Sequence, residues 1–221
     1  MSTMYEMIMD LPLFKGVSKE HVSYFLEKTN VNFENFEPGM KIVVKGEEVR
    51  MVKFVLSGEV CVSHTLSDCN ISVDEYCSYG RVLGADRLYG MATGYSCDVT
   101  ARTRTSIMEF SKDQYVRLLN SDDIYLLNFF NFLSRRVQKP VEVMEEFTSG
   151  NIKSRLCVLL GVLTDPDSIG VIINGTIADL AKYVSVDQKT MAEWINSAEL
   201  EGLIEYSDGI MRIKSRGAFL S

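Results

Sequence analysis

The segment Thr176–Ile204, TIADLAKYVSVDQKTMAEWINSAELEGLI, restricts the folds open to this chain more than any other stretch. It holds two short helical patterns separated by a tight turn. Leu180, Ala181 and Val184 form the apolar face of the first, and Met191, Ile195 and Leu200 run along the second. Thr176 is suited to cap the first helix, with Asp179 at the third position completing a capping box. The small Ala181 lets two helices cross closely, and Asp187 is suited to cap the second helix after the Val184–Val186 turn. Such a unit reads as a helix-turn-helix, whose second helix enters a DNA major groove. Spacing alone is equally compatible with two packed helices and no nucleic acid.

Length and charge narrow the frame. A chain of 221 residues suits one large or two modest domains, and 46% hydrophobic content is enough to bury a core in each. The formal charge of −7 argues against a general basic coat. Residues 148–221 carry seven Lys and Arg against nine Asp and Glu, so the tail is not basic either. DNA affinity would have to come from a local patch such as Lys153, Arg155, Lys182, Lys189, Arg212, Lys214 and Arg216. No apolar run reaches membrane-spanning length, and MSTMYEMIMDLPLF lacks the basic start and unbroken apolar core of a signal peptide; a cytoplasmic location is expected. The five cysteines contain no CxxC pair, so neither a disulfide framework nor a closed zinc site follows, and free, mostly buried thiols are expected.

Three regions follow one another. Residues 1–120 contain, from about Glu34 to Ser111, short alternating β-prone runs: MKIVVKG, VKFVLSGEVCVSHT, NISVDEY and TARTRTSIMEFS. Turn residues such as Pro38-Gly39, Ser57-Gly58, Gly84 and Gly94 punctuate them, which predicts an antiparallel β-roll able to hold a ligand inside. Residues 121–148 form one long helix. Phe130, Leu133, Val137, Val141 and Met144 recur at spacings of three and four, a stripe suited to pairing with a second copy of the chain. Pro140 inside this run should kink the helix or break its local hydrogen bonding. Packing of the stripe on the chain's own roll is the alternative. Residues 149–221 combine the helix SRLCVLLGVL, the strand GVIIN, the helix pair and IEYSDGIMRI, where Asp208-Gly209 signals a hairpin. A hairpin after a helix-turn-helix makes a wing. The expected class is therefore α+β: an N-terminal antiparallel β-roll, a long dimerisation helix and a C-terminal winged helix-turn-helix.

This order of parts resembles the CRP/FNR family of bacterial transcription regulators, and the resemblance covers nearly the whole chain. It is carried by LPLF at Leu11–Phe14, the Pro38-Gly39 and Ser57-Gly58-Glu59 turns, Ser134-Arg135-Arg136, NIKSRL at Asn151–Leu156, and the ungapped Thr176–Ile204. The resemblance implies a homodimer on a two-fold symmetric promoter site in double-stranded DNA, an effector that alters the relative pose of two domains, and RNA polymerase as a further partner.

The departures are specific. Cyclic-AMP-binding members of the family carry a Gly-Glu pair, whose acid meets the ribose, and about ten residues later an Arg-Ser or Arg-Thr pair, whose guanidinium meets the cyclic phosphate. The positions matching that pocket hold Gly84, Ala85, Tyr95 and Ser96, so both charged groups are missing. Pro140 and Val141 stand where the long helix usually offers hydroxyls to the purine. A phosphate buried without its arginine is unfavourable, so cyclic AMP or GMP is not the expected effector. A shift of the alignment by a few residues would instead bring Arg87 or Arg102 into play. The N-terminal cysteine cluster of iron-sulfur members is absent before Cys61, and His64 and His21 are isolated. Cys61, Cys69, Cys77 and Cys97 lie in or near the roll, and buried structural thiols fit them better than redox sensors. No cofactor is expected, and no effector class follows.

The second helix departs as well. Many relatives have Arg-Glu near its start and Arg one turn later; here Gln188-Lys189 and Glu193 stand there, while Thr190 matches. The residues expected at DNA are Thr176, Asp187, Gln188, Lys189, Thr190 and Glu193. Gln188 is suited to adenine, Lys189 to guanine or a phosphate, and Glu193 to a cytosine amine. Trp194 is expected between the two helices. The alternative is a small-molecule-binding or protein-interaction module whose winged domain has lost DNA binding. An enzyme ranks last, because no catalytic triad, metal-ligand histidine pair, Walker loop or GxGxxG is present.

Overall fold

A computed structural model describes residues 4–66 and 68–220; the Met-Ser-Thr start of the N-terminal segment lies outside the described residues. The chain forms two compact units, Met1–Val60 with Ser78–Val137, and Cys61–Cys77 with Gln138–Ser221. The elements in chain order begin with α1 (Met4–Met9), α2 (Lys19–Lys28), β1 (Asn32–Phe36), β2 (Lys41–Val43) and β3 (Met51–Ser57). They continue with β4 (Val60–Leu66), β5 (Ile71–Cys77), β6 (Val82–Leu83), β7 (Asp98–Ala101), β8 (Thr105–Ser111), α3 (Lys112–Leu119) and α4 (Asp123–Glu146). The tail adds α5 (Ile152–Leu163), β9 (Gly170–Asn174), α6 (Ile177–Tyr183), α7 (Gln188–Leu200), β10 (Ile204–Ser207), β11 (Ile210–Ile213) and α8 (Arg216–Leu220). The fold is α+β with antiparallel sheets, as the sequence predicts.

In the first unit, β1, β8, β3 and β6 form an antiparallel sheet in that order, and β2 pairs with β7. Strand alternation divides the faces. Val52, Phe54, Met108 and Phe110 are buried in a core shared with Leu11, Phe14, Val22 and Phe25, which is why the LPLF segment and α2 fold onto this sheet. Phe14 meets Phe54 and Tyr125 edge to face, with centroids 6.0 and 5.4 Å apart. The intervening Lys53 and Glu109 point the other way and stand directly opposite each other. A full capping box, Ser111 with Gln114, starts α3.

The second unit is not the contiguous block 149–221. The β4–β5 hairpin, drawn from the middle of the sequence assigned to the roll, joins it. Its sheet runs β10, β11, β9, β5, β4. Strands β5 and β9 pair antiparallel over five register positions, from Ser72↔Asn174 to Tyr76↔Gly170. Ile71 and Val73 are fully buried in the core built by Leu156, Leu160, Leu180, Met191, Ile195, Ile204 and Met211. The hairpin groups with the tail because these apolar side chains and its backbone bonds are both satisfied there. Helices α4 and α5 cross closely in this unit: a Cβ on Gly161 would lie 2.6 Å from Val143 Cγ1.

One sequence expectation needs correction, and it concerns Leu200; Pro140 lies inside helix α4, which continues on both sides of it. A proline removes one backbone donor, and the flanking turns of a 24-residue helix hold it in place. Leu200 does not belong to the buried face of α7; it is 90% exposed, and Ala198 is buried in its stead. Nine residues beyond Met191 is about two and a half turns, which rotates Leu200 to the opposite side.

Candidate nucleic-acid interface and roll pocket

The helix pair is built as its sequence directs. The Thr176 side chain accepts from the Asp179 amide, and Asp179 in turn accepts from the Thr176 amide at 3.1 Å. Asp187 caps α7, accepting from the Thr190 amide at 2.9 Å and the Thr190 hydroxyl at 2.6 Å. These hydrogen bonds hold both carboxyls below the usual carboxylate range: Thr190 acts on Asp187, and Thr176, with smaller contributions from Asn70 and Lys182, on Asp179. Leu180, Ala181, Val184, Met191 and Ile195 are buried between the helices and the sheet, and Trp194 packs partly buried at their edge. The wing turn at Asp208 and Gly209 has φ of +50° and +77°, the left-handed pair that a two-residue hairpin requires.

Capping leaves the solvent face of α7 to Gln188, Lys189 and Glu193, all exposed. Lys189 Nζ lies 3.9 Å from Glu193 Oε1, so the one cation on this face is partly neutralised one turn away. Most of the patch expected from the sequence is engaged within the fold. Arg155 donates to the carbonyls of Gly150 and Val184 at 3.0 and 2.6 Å. Arg216 is half-buried against Thr164, and burial lowers its pKa. Lys214 pairs with Glu205 at 3.2 Å, and Lys182 donates to the Asp68 carbonyl at 2.8 Å. Arg212 is exposed on β11.

The roll positions tell a different story. Gly84 has φ +83°, and a Cβ there would stand 2.8 Å from Val49 Cγ1 and 3.2 Å from Tyr95 Cε1. Ala85 is buried at the start of a short 3₁₀ turn, Ala85–Arg87. Tyr95 is half-buried, and its hydroxyl donates to the Met51 carbonyl at 3.1 Å. Burial, with Glu109 and Glu47 adding negative charge, pushes its phenol up to about 12. Ser96 is exposed, and Arg102 pairs with Glu59 at 3.0 Å. Val141 belongs to the second unit.

On the same sheet, Lys53 and Glu109 form a buried ion pair, and Asn32 donates to the second Glu109 oxygen at 2.9 Å. Sequence reasoning missed this row. The signal was present: each charge stands between two apolar residues, in VKF and MEF, and this parity was readable only as solvent-facing.

Along α4 the exposed row is Leu127, Phe130, Ser134, Val137, Val141 and Met144, at alternating spacings of three and four. Leu133, expected in that row, packs instead against the core of its own unit. All five cysteines are free, and burial pushes the Cys157 thiol up to about 11, which makes it a poor redox group. Among the described residues no cluster of His, Cys, Asp and Glu is arranged to hold a metal ion, and no helix is long and apolar enough to cross a membrane.

Residues 33–122 match the cyclic nucleotide-binding domain family. The fold is shared with the catabolite activator protein of Thermus thermophilus, at 17% identity over 94% of this chain and 96% of that one, with a TM-score of 0.55. It is shared likewise with CLP, the c-di-GMP-responsive global regulator of Xanthomonas campestris, at 16% identity over 90% and 100% of the two chains and a TM-score of 0.56. The sensor domain of the transcriptional regulator DNR of Pseudomonas aeruginosa is similar over 62% of this chain and 90% of its own, at 17% identity and a TM-score of 0.52. No curated protein matches the sequence. Residues 33–122 thus match a cyclic nucleotide-binding domain, and most of the chain shares its fold with these proteins.

Proposed function

We propose that this protein is a homodimeric, sequence-specific DNA-binding transcription regulator whose effector is not a cyclic nucleotide. The observation that carries the reading is the start of α7: its capping is complete, and Gln188, Lys189 and Glu193 stay exposed near a well-formed wing. Two copies paired through the apolar row of α4 would present two such helices to a two-fold symmetric site. Thr176 supports one side of this surface, while Asp187 and Thr190 fix the pitch of α7 rather than read bases. Contact with RNA polymerase follows from the family likeness alone. Against a cyclic nucleotide stand Ala85 and Tyr95, which leave the phosphate and ribose without their charged partners.

The test is binding of the purified chain to genomic fragments, followed by footprinting. About five phosphate contacts per dimer would give a slope near −4.5 in log affinity against log salt. A protein-interaction module is favoured by one observation, the engagement of Arg155, Lys182, Lys214 and Arg216 within the fold. Failure to bind any genomic fragment would turn the reading to that module.

A further inference from the structure

The β4–β5 hairpin does more in the second unit than complete a sheet. Strands β10, β11 and β9, backed by helices, already make a three-stranded sheet with an apolar face, which suffices for a stable winged domain. Strand β5 is added to its free edge. The tip of the hairpin then reaches α6. The Asp68 carbonyl takes the Lys182 ammonium at 2.8 Å, and Asn70 lies close enough to Asp179 to help hold its carboxyl below the usual range. Along the strand, Asn174 Nδ2 donates to Ser72 Oγ at 3.0 Å and to Asp74 Oδ2 at 2.8 Å. Asn70 and Ser72 thereby share one cleft with Thr176, Asp179 and the Asp208-Gly209 wing turn.

The first helix of a helix-turn-helix and the tip of a wing are the parts that lie along the DNA backbone. In this arrangement they are bordered by the hairpin, which engages the α6 cation and brings Asp68 and Asp74 into a neighbourhood that already holds Asp179 and Asp208. Phosphates approaching that surface would meet like charge and a strand in the way.

We propose that the β4–β5 hairpin is an autoinhibitory strap, paired with β9 in the resting protein and released from it when the unit takes DNA. The proposal rests on the DNA-binding reading above. Burial of Ile71 and Val73 makes the closed form the resting one. Because the two occupants compete, anything that favours the unpaired hairpin raises DNA affinity, and DNA in turn favours the unpaired hairpin.

The test uses the full chain with Ser72→Cys and Asn174→Cys, two residues that face each other in the β5–β9 register. The cross-link is assigned by peptide mass, and binding is measured on a genomic fragment footprinted with the parent protein. The oxidised form should bind at least about tenfold more weakly than the same sample after reduction, and the reduced form, which lacks the Asn174 side-chain ties, should bind at least as tightly as the parent. Asn174→Ala, which removes the side-chain ties without changing charge, should bind more tightly and exchange its 71–77 amides faster. Equal affinity of the oxidised and reduced forms overturns the strap and leaves DNA binding standing. Absence of binding by the parent chain itself overturns the DNA reading and the strap together.

Discussion

The Tyr95 hydroxyl donates to the main-chain oxygen of Met51 at 3.1 Å, and the edge of its ring stands beside the Cα of Gly84. On the function proposed above, the aromatic side chain takes the place that a cation would need to hold for an effector's phosphate. Its neighbours are fitted around it: Gly46 donates to the Tyr95 carbonyl and Tyr95 to the Glu47 carbonyl, each at 2.9 Å.

Cyclic AMP and cyclic GMP are accordingly expected to leave the melting temperature unchanged even at millimolar concentration. A saturable rise in melting temperature with either nucleotide would contradict this account. Gly84→Ala should destabilise the first unit by about 1–3 kcal/mol, from its left-handed backbone and the close Val49 and Tyr95 contacts, as read by urea denaturation.

The Lys53–Glu109 pair is nearly inaccessible to water, with side-chain exposures of 12% and 5%. Glu109→Ala leaves an ammonium buried without its partner, and a loss of about 3–5 kcal/mol is expected. Replacing both, as Lys53→Met with Glu109→Leu, should recover most of that stability. A double variant as unstable as the single one would mean that packing, not charge, is what the pair supplies.

The exposed row on α4 makes a prediction about assembly. Val137 is 73% exposed in the single chain, and Val141 and Met144 more than half. Val137→Glu with Val141→Glu should give a folded monomer by sedimentation, with DNA affinity reduced at least about tenfold through loss of two-site binding. A dimer that survives both changes would place the interface elsewhere.

Lys189→Ala with Gln188→Ala is expected to abolish specific DNA binding. Glu193→Gln should do the reverse, since it frees Lys189 from its partner at 3.9 Å and removes a negative charge from the reading face. Its salt slope should steepen by about one unit per half-site. Full affinity and specificity in the double variant would overturn the assignment of α7 as the reading helix.

Acid should loosen the helix pair before the rest. The folded carboxyls of Asp179 and Asp187 lie below their ordinary values because Thr176 and Thr190 donate to them. Their stabilisation is therefore complete above the ordinary aspartate pKa of about 4 and disappears as pH falls through the lower folded values. Amide protection factors in 177–190, taken against the intrinsic exchange rate at each pH, should fall below about pH 4, and Asp187→Asn, which keeps an N-cap acceptor, should remove that acid sensitivity at α7. Protection factors unchanged between neutral and acid pH would count against this.

Much of the helix pair was legible because its determinants are local. Thr176, Asp179 and Asp187 act within a single turn, and Asp208-Gly209 dictates its own hairpin. The long helix was equally plain, apart from the inward rotation of Leu133. What local pattern does not encode is partnership. NISVDEY reads as a strand, and Ile71 and Val73 as its buried face, but nothing in those residues says that the neighbour is GVIIN. The basic patch misled for the same reason, since whether Arg155 or Arg216 meets a phosphate or a carbonyl depends on residues far along the chain.

That distant partnership also sets an order of events during synthesis. Ser72 must wait for Asn174, 102 residues later, before β5 can pair. At roughly 5–20 residues per second the ribosome takes about 5–20 seconds to deliver β9. Throughout that interval a hairpin carrying Ile71 and Val73 has an open edge and lacks the core that buries them, which exposes it to mispairing with a neighbour or capture by a chaperone.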